Sequence, residues 1–375
     1  MMQKELFLDS NAHNFMSEVA LKAFVEYNSS TAGKGHPMTP SKPGREAASA
    51  LETARGKIAF MLGAKRPGQI IFTSTCTQAC EWAMKILNSC TTDWRNKPIL
   101  TPPTDSKAAY IDSRTFISPV EHPAIKRIES EFYTFPLLPI DENGVIQECQ
   151  VNKAACIHVQ NEIGIIQPLE RITAGLLLSD MCQSVGKVSI NLTEMPVDIA
   201  VFGGHKFGGS AGVGFIYLRN LEWWTEFGYG SRYFSDRPGT PDVASVVATA
   251  AALEEELMTM PERLVKMKEF QSTLEDGLIN IGYEIIGYNA NRVMNTSCVA
   301  GFNDKSFEVL LGLSKIGIYV GLGSACGSMH TGVSPTLAAL GKKYKANDIL
   351  RISQHGDYDK NDAIYFLNQL KKIIS

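Results

Sequence analysis

"DIAVFGGHKFGGSAGVGFIYL", residues 198–218, is the stretch from which the fold can be read. Two short apolar runs, "DIAVFG" and "VGFIYL", flank a glycine-rich turn that carries His205 and Lys206. Apolar runs of this length without polar alternation read as strands buried on both faces. "GQIIFTS" (68–74), "AAYIDS" (108–113), "AACIHV" (154–159) and "GLLLSD" (175–180) have the same texture, and "TQACEWAMKILNSC" (77–90) reads as the helix after the first of them. Buried strands between helical segments predict an α/β domain on a parallel or mixed sheet.

Downstream the texture changes. A long helical pattern follows "RPGT" (237–240) and leads to "YEIIG" (283–287), "TSCVAGF" (296–302), "GIYVGLG" (317–323) and a last helix, "KNDAIYFLNQLKKII" (360–374). This predicts a large domain over 15–255 and a smaller α+β domain from 1–14 and 256–375.

Composition bounds the function. With 44% hydrophobic and 20% charged residues the chain reads as an ordinary globular protein. A formal net charge of -3 gives no global attraction to nucleic acid or to a membrane surface. No apolar run reaches the ~20 residues that span a bilayer, and "MMQKELFLDSNAHNF" lacks the pattern of a signal peptide. The expected location is the cytoplasm. None of the eight cysteines forms a C-x-x-C pair, so structural zinc and a disulfide framework are not expected.

Ligands of open α/β sheets bind outside the carboxyl ends of the strands, and several predicted strands end on unusual residues. "GLLLSDMCQSVG" ends on Asp180, with Gln183 three residues on. A lysine such as Lys206 is either a solvated loop residue or an amine that forms a Schiff base with a carbonyl cofactor. A pyridoxal ring would need an acid at its pyridinium nitrogen, which Asp180 could supply. It would also need a phosphate cradle, which "FTSTCTQA" could form as it opens a helix at Thr77. His122 in "PVEHPAIK" is a helix-start histidine or a ring-stacking one, and "HVQNEIGIIQPL" places Asn161 and Glu162 at a further strand end.

Together these segments resemble the cysteine desulfurases of the aminotransferase class V family, which depend on pyridoxal 5'-phosphate. The similarity runs from "FLDSNAHN" and "GREAASALETAR" through "NEIGIIQPL", "GHKFGGSAGVGFIYL", "RPGT" and "GSACGS" to "LRISQHGDYDKNDA". The resemblance implies a fold type I enzyme whose large domain has a mainly parallel seven-stranded sheet flanked by helices. Lys206 would hold the cofactor covalently, Asp180 would pair with the ring nitrogen, and Gln183 would bond the phenolic oxygen. His122 would stack on the ring and move protons. Thr77, His205 and the Cys76 turn would bind phosphate, joined by Thr240 from the partner subunit of a homodimer. Asn161 and Arg351 would hold the substrate carboxylate. Cys326, in "GLGSACGSMHTG" (321–332), would take sulfur from L-cysteine as a persulfide, release L-alanine and pass the sulfur to an acceptor protein or small thiol.

Three departures from the family pattern stand out. Thr75 and Cys76 occupy the usual glycine pair before the phosphate threonine, and Gly203 stands where the family has serine. The segment "STAGKGHPMTPSKPGREA" lacks the usual Asn-Pro-Ser-Ser. They suggest a specialised desulfurase, serving a pathway such as DNA phosphorothioation or tRNA thiolation. Its rivals are a sulfur donor for iron–sulfur cluster assembly, a selenocysteine lyase, and a non-catalytic scaffold.

Overall fold

The computed structural model describes residues 4–90, 114–127, 134–226, 239–323, 334–342 and 344–374. "AAYIDS" and Cys326 lie outside the described residues. The strands in chain order are β1 (Leu6–Leu8), β2 (Ile70–Thr73), β3 (Thr115–Ile117), β4 (Cys149–Ala155), β5 (Ile172–Asp180), β6 (Ile199–Gly203), β7 (Gly214–Leu218), β8 (Glu284–Ile285), β9 (Thr296–Ala300), β10 (Ile318–Val320) and β11 (Ile349–Ser353). The helices are α1 (Glu18–Ser29), α2 (Lys42–Met61), α3 (Cys76–Ser89), α4 (Pro123–Lys126), α5 (Glu222–Glu226), α6 (Val243–Ile279), α7 (Ser306–Lys315), α8 (Pro335–Ala339) and α9 (Lys360–Ile374).

The central sheet has the order β2-β7-β6-β5-β4-β3. Seven strands were expected; among the described residues there are six. β3, β4, β5 and β6 run parallel, whereas β7 is antiparallel to both β6 and β2. The reason lies in the opening stretch: its glycine-rich turn folds β7 straight back on β6, pairing Gly203 with Gly214. A connection this short cannot make the crossover that parallel strands need. His205 and Lys206 therefore sit on the hairpin loop at the carboxyl end of β6.

The sheet is buried on both faces, as its unbroken apolar strands require. Ile70, Phe72, Phe202, Phe215 and Tyr217 face one core shared with α2 and the start of α6. Ile71, Val201 and Ile216 face the other, against α3 and Trp223.

A second core forms where β11-β9-β8 and β1-β10 meet α7, α9 and the end of α6. β1, which was not anticipated as a strand, pairs in parallel with β10, so the N-terminus packs here. α6 joins the two cores without a linker. Val243 to Leu253 pack with the central sheet, and Phe270, Leu274 and Leu278 pack with the second core. Pro261 lies inside the helix and removes one backbone N–H from its ladder.

Candidate active site

The carboxyl ends of the central strands converge on one pocket. Lining it are Cys76, Thr77, His122, Asn161, Asp180, Gln183, His205, Lys206 and Arg351. Residues from six separate stretches of sequence are thus brought together. Thr240 is not brought there in its own chain. It is exposed, with Oγ1 3.4 Å from His36 Nε2. Cys326 lies outside the described residues, but the stretch after it is held by a buried carboxylate and the stretch before it ends beside the same group. Glu162 accepts hydrogen bonds from Ser334 Oγ (2.8 Å) and Thr336 Oγ1 (2.7 Å), and a side chain at Gly323 would approach its Oε2 to 3.3 Å.

Each polar side chain is fixed by its element. Asp180 ends β5 and is 4% exposed, with Oδ1 accepting the Cys182 N–H at 2.9 Å. Burial pushes its carboxyl pKa up, while His122, that hydrogen bond and Lys206 act in the opposite sense. Such a carboxylate gains from a cationic partner. His122 caps α4, Nδ1 accepting the Ala124 N–H at 3.1 Å, and burial keeps its imidazole below the usual range. Lys206 Nζ donates to the main-chain oxygens of Asn11 (2.7 Å) and Ala12 (2.8 Å). His205 stacks on His13, and burial with neighbouring Lys206 lowers its pKa to about 3, so it stays neutral. Its Nδ1 is buried without a hydrogen-bond partner.

Arg351, on β11, is 1% exposed. Nη2 pairs with Asp9 at 2.6 Å, Nη1 donates to the Asn161 carbonyl oxygen at 3.2 Å, and Nε is buried without a partner. The side chain of Asn161 accepts from Gln160 Nε2 at 3.5 Å.

Sequence reasoning missed the support beneath these groups. Asn11 accepts through its carbonyl oxygen from Gln183 Nε2 (2.9 Å) as well as Lys206, and through Oδ1 from Lys187 Nζ (3.1 Å). Lys187 also donates to Gln183 Oε1. It is fully buried, and its pKa is lowered to about 7, mainly by burial and then by Lys206. A lysine four residues after Gln183 was the available signal for a partner of that amide.

At the other end of the pocket lies the amino terminus of α3. Thr75 caps the helix by accepting the Gln78 N–H at 3.1 Å. The Cys76 and Thr77 N–H groups belong to the first turn, where a helix leaves donors without internal acceptors and favours an anion. Two of the departures noted in the sequence, Thr75–Cys76 and Gly203, meet here. A side chain on Gly203 would come 3.0 Å from Cys76 Cβ, and one on Gly214 would come 2.5 Å from the Thr75 carbonyl. Gly203 and Cys76 are therefore complementary: the side chain removed at one position makes room for that at the other.

The expectation of unpaired cysteines is corrected at one place. Cys76 and Cys182, 106 residues apart, are joined sulfur to sulfur across this pocket. Neither lies in a recognisable pair motif, so only the fold brings them together.

These features define an α/β protein with a lysine on a strand-end turn, a buried acid on the adjacent strand and an anion-ready helix terminus in one pocket. The chain matches the aminotransferase class-V family over residues 6–365 and belongs to it. It is 29% identical over 361 residues to cysteine desulfurase 2 of Trichormus variabilis, covering 90% of this chain and 85% of that one. It is 28% identical to the cysteine desulfurase IscS of Dictyoglomus turgidum, covering 100% and 95% respectively. A solved structure described as a NifS-like protein superposes with a TM-score of 0.79 at 27% identity, covering 99% of each chain.

Members of this family depend on pyridoxal 5'-phosphate. The donor set fits that group. An amine, a buried carboxylate, a neutral imidazole with an unpartnered nitrogen and free first-turn amides match an aldehyde, a ring nitrogen and a phosphate.

Proposed function

We propose that the chain is a pyridoxal-phosphate-dependent cysteine desulfurase that takes sulfur from L-cysteine, releases L-alanine and passes the sulfur on from Cys326. The observation that carries this reading is the convergence of Lys206, Asp180, Gln183 and His122 in one buried pocket, with Arg351 beside them. When bound, pyridoxal phosphate supplies an electron-withdrawing ring that labilises bonds at the substrate's α- and β-carbons.

The protein's part is positioning and proton handling. Lys206 Nζ is the amine that holds the cofactor and afterwards moves the proton at the substrate α-carbon. Asp180, buried and with its pKa pushed up by that burial, keeps a proton on the ring nitrogen. Gln183, held by Asn11 and Lys187, presents its amide to the phenolic oxygen. His122 covers the ring. Its Nδ1 is engaged by the Ala124 N–H, so Nε2 is the nitrogen left to carry a proton. Thr77, His205 and the Cys76 N–H receive the phosphate, with Thr240 of a second copy completing it in a homodimer.

Arg351 and Asn161 receive the substrate carboxylate. Asp9 already occupies one Arg351 nitrogen, so the substrate engages the guanidinium face that includes Nε. The Cys326 thiolate then attacks the substrate sulfur, forming a sulfur–sulfur bond as the carbon–sulfur bond breaks. Protonation of the remaining three-carbon fragment gives alanine. The outer persulfide sulfur leaves to an acceptor protein or small thiol, restoring Cys326.

The test is direct. Purified protein should carry the visible absorbance of bound pyridoxal phosphate and convert L-cysteine to equal amounts of alanine and reducible sulfur. Cys326→Ala should keep the absorbance and lose the conversion. A colourless protein, or full desulfuration by Cys326→Ala, would overturn the reading.

A further inference from the structure

Cys76 and Cys182 both line the pocket, the first opening α3 and the second following β5. Their sulfurs are joined, and each lies within 4.8 Å of an Asp180 carboxylate oxygen. This is the carboxylate that, in the proposed function, faces the cofactor ring nitrogen. We infer that Cys76 and Cys182 form a redox modification site inside the cofactor pocket, whose disulfide and the pyridoxal ring exclude one another. The inference rests on the proposed function for the identity of the excluded ligand.

The geometry carries the exclusion. The bridged sulfurs stand within 4.8 Å of an Asp180 oxygen, in the space that a ring nitrogen paired with that carboxylate would enter. Both arrangements cannot exist at once. The bridge links two elements whose Cα atoms are 7.5 Å apart.

Two further features single out this pair. The space that a side chain on Gly203 would fill is taken by Cys76, so the pocket wall is cut back to accept that cysteine. Cys80, one helical turn on, has its sulfur 4.0 Å from that of Cys76, but it is fully buried and burial holds its thiol protonated. Cys76 is half-buried and sits at a helix amino terminus, where a thiolate is favoured. It is the nucleophile of the group, and Cys182 is the partner that resolves it.

The co-reactant is hydrogen peroxide. The Cys76 thiolate attacks one peroxide oxygen, breaking the O–O bond and giving a sulfenic acid and water. The Cys182 thiol then displaces the hydroxyl as a second water, leaving the disulfide. Two thiols are oxidised and one peroxide is reduced to two waters. A dithiol reductant reverses the step.

The experiment uses the full chain, stripped of pyridoxal phosphate, reduced, and then treated with hydrogen peroxide or left untreated. Peptide mapping should link Cys76 to Cys182 with the loss of two hydrogens. Pyridoxal phosphate uptake, followed by visible absorbance, should slow by at least about tenfold and recover after dithiothreitol, within the range of strong coupling between sites. Protein already loaded with cofactor should form the link at least about tenfold more slowly, because the bound ring occupies the space the bridge needs. Uptake by Cys182→Ala, and separately by Cys76→Ala, should be insensitive to peroxide. Peroxide-treated protein that carries no such link, or linked protein that takes up cofactor as fast as reduced protein, would overturn this inference alone. Reduced protein that takes up no cofactor would overturn the proposed function, and the exclusion with it.

Discussion

At one end of the pocket, around Asp180, Gln183 and Lys206, polar atoms are tied into a buried network. At the other, around Cys76, Thr77 and His205, donors stand idle and sulfur fills space. The first end runs Asn11 to Gln183, Lys187 and Lys206 through bonds of 2.7–3.1 Å. The second holds an unpartnered His205 Nδ1 and first-turn amides awaiting an anion. An end that must set protonation states needs fixed partners, since each idle buried group would cost stability. An end that receives a doubly charged, multidentate group must keep its donors free until the group arrives. Two of the three sequence departures, Thr75–Cys76 and Gly203, fall at this second end, where the ligand brings most of the binding contacts itself.

The largest break in the comparison comes from Lys206→Ala. It removes the amine that anchors the cofactor and moves the α-proton, and alanine production should fall by at least about 10³-fold. Thermal stability should change far less, because Lys206 is held by two main-chain oxygens and not by the apolar core. Asp180→Asn comes next. The amide occupies the same volume but cannot keep a proton on the ring nitrogen, so turnover should drop by about 10²-fold, with cofactor still taken up through the other end of the pocket. If Asp180→Asn retained full turnover, the assignment of the ring end would be wrong.

A third prediction sharpens why two carboxyls can share the networked end. Glu121, beside His122, is buried, and its pKa is raised to about 8, mainly by burial and then by the negative charge of Asp180. Its Oε2 has no partner, while Oε1 accepts the Ile157 N–H. Glu121 stays protonated so that Asp180 can ionise. In the unfolded chain an ordinary glutamate loses its proton near pH ~4.3, whereas in the fold it keeps it to about 8. The native state binds the extra proton across that window, so stability falls as pH rises through it. Urea unfolding should show a decline of roughly 1–3 kcal/mol from pH 5 to 8 that Glu121→Gln flattens. An unchanged decline in the variant would assign it to other groups.

How much of this was legible differed between the two ends for physical reasons. Lys206, Asp180, Gln183 and His122 stand at the ends of apolar runs, and a strand end is a place that hydrophobic patterning marks. Arg351 was found by resemblance, although its strand, β11, is as apolar as the others. The fold's second core was readable from "TSCVAGF" and the last helix, but β1 was not, because three residues carry too little period to register. Asn11 was invisible since its bonds to Gln183 and Lys187 span more than 170 residues, whereas Lys187 had a local signal in Gln183, four residues before it. Invisible too was the meeting of Cys76 with Cys182, which no spacing rule encodes.

The smallest expected effect tests the idle end most closely. Gly203→Ser restores the hydroxyl that the family places there, and alone it should weaken cofactor binding, because its Cβ would press on Cys76 at 3.0 Å. Cys76→Ala does not relieve that contact, which is to Cβ itself, but it frees the volume of the sulfur and lets the α3 turn withdraw. The double variant Gly203→Ser/Cys76→Ala should therefore bind pyridoxal phosphate better than the sum of the single variants predicts, with a coupling of about 1 kcal/mol. Equilibrium titration of the four proteins gives the number. Strict additivity would mean that the two departures arose independently. A favourable coupling would mean that the serine was given up because the cysteine was kept. That would make the sulfur at the phosphate end a selected feature, with the missing hydroxyl as its consequence.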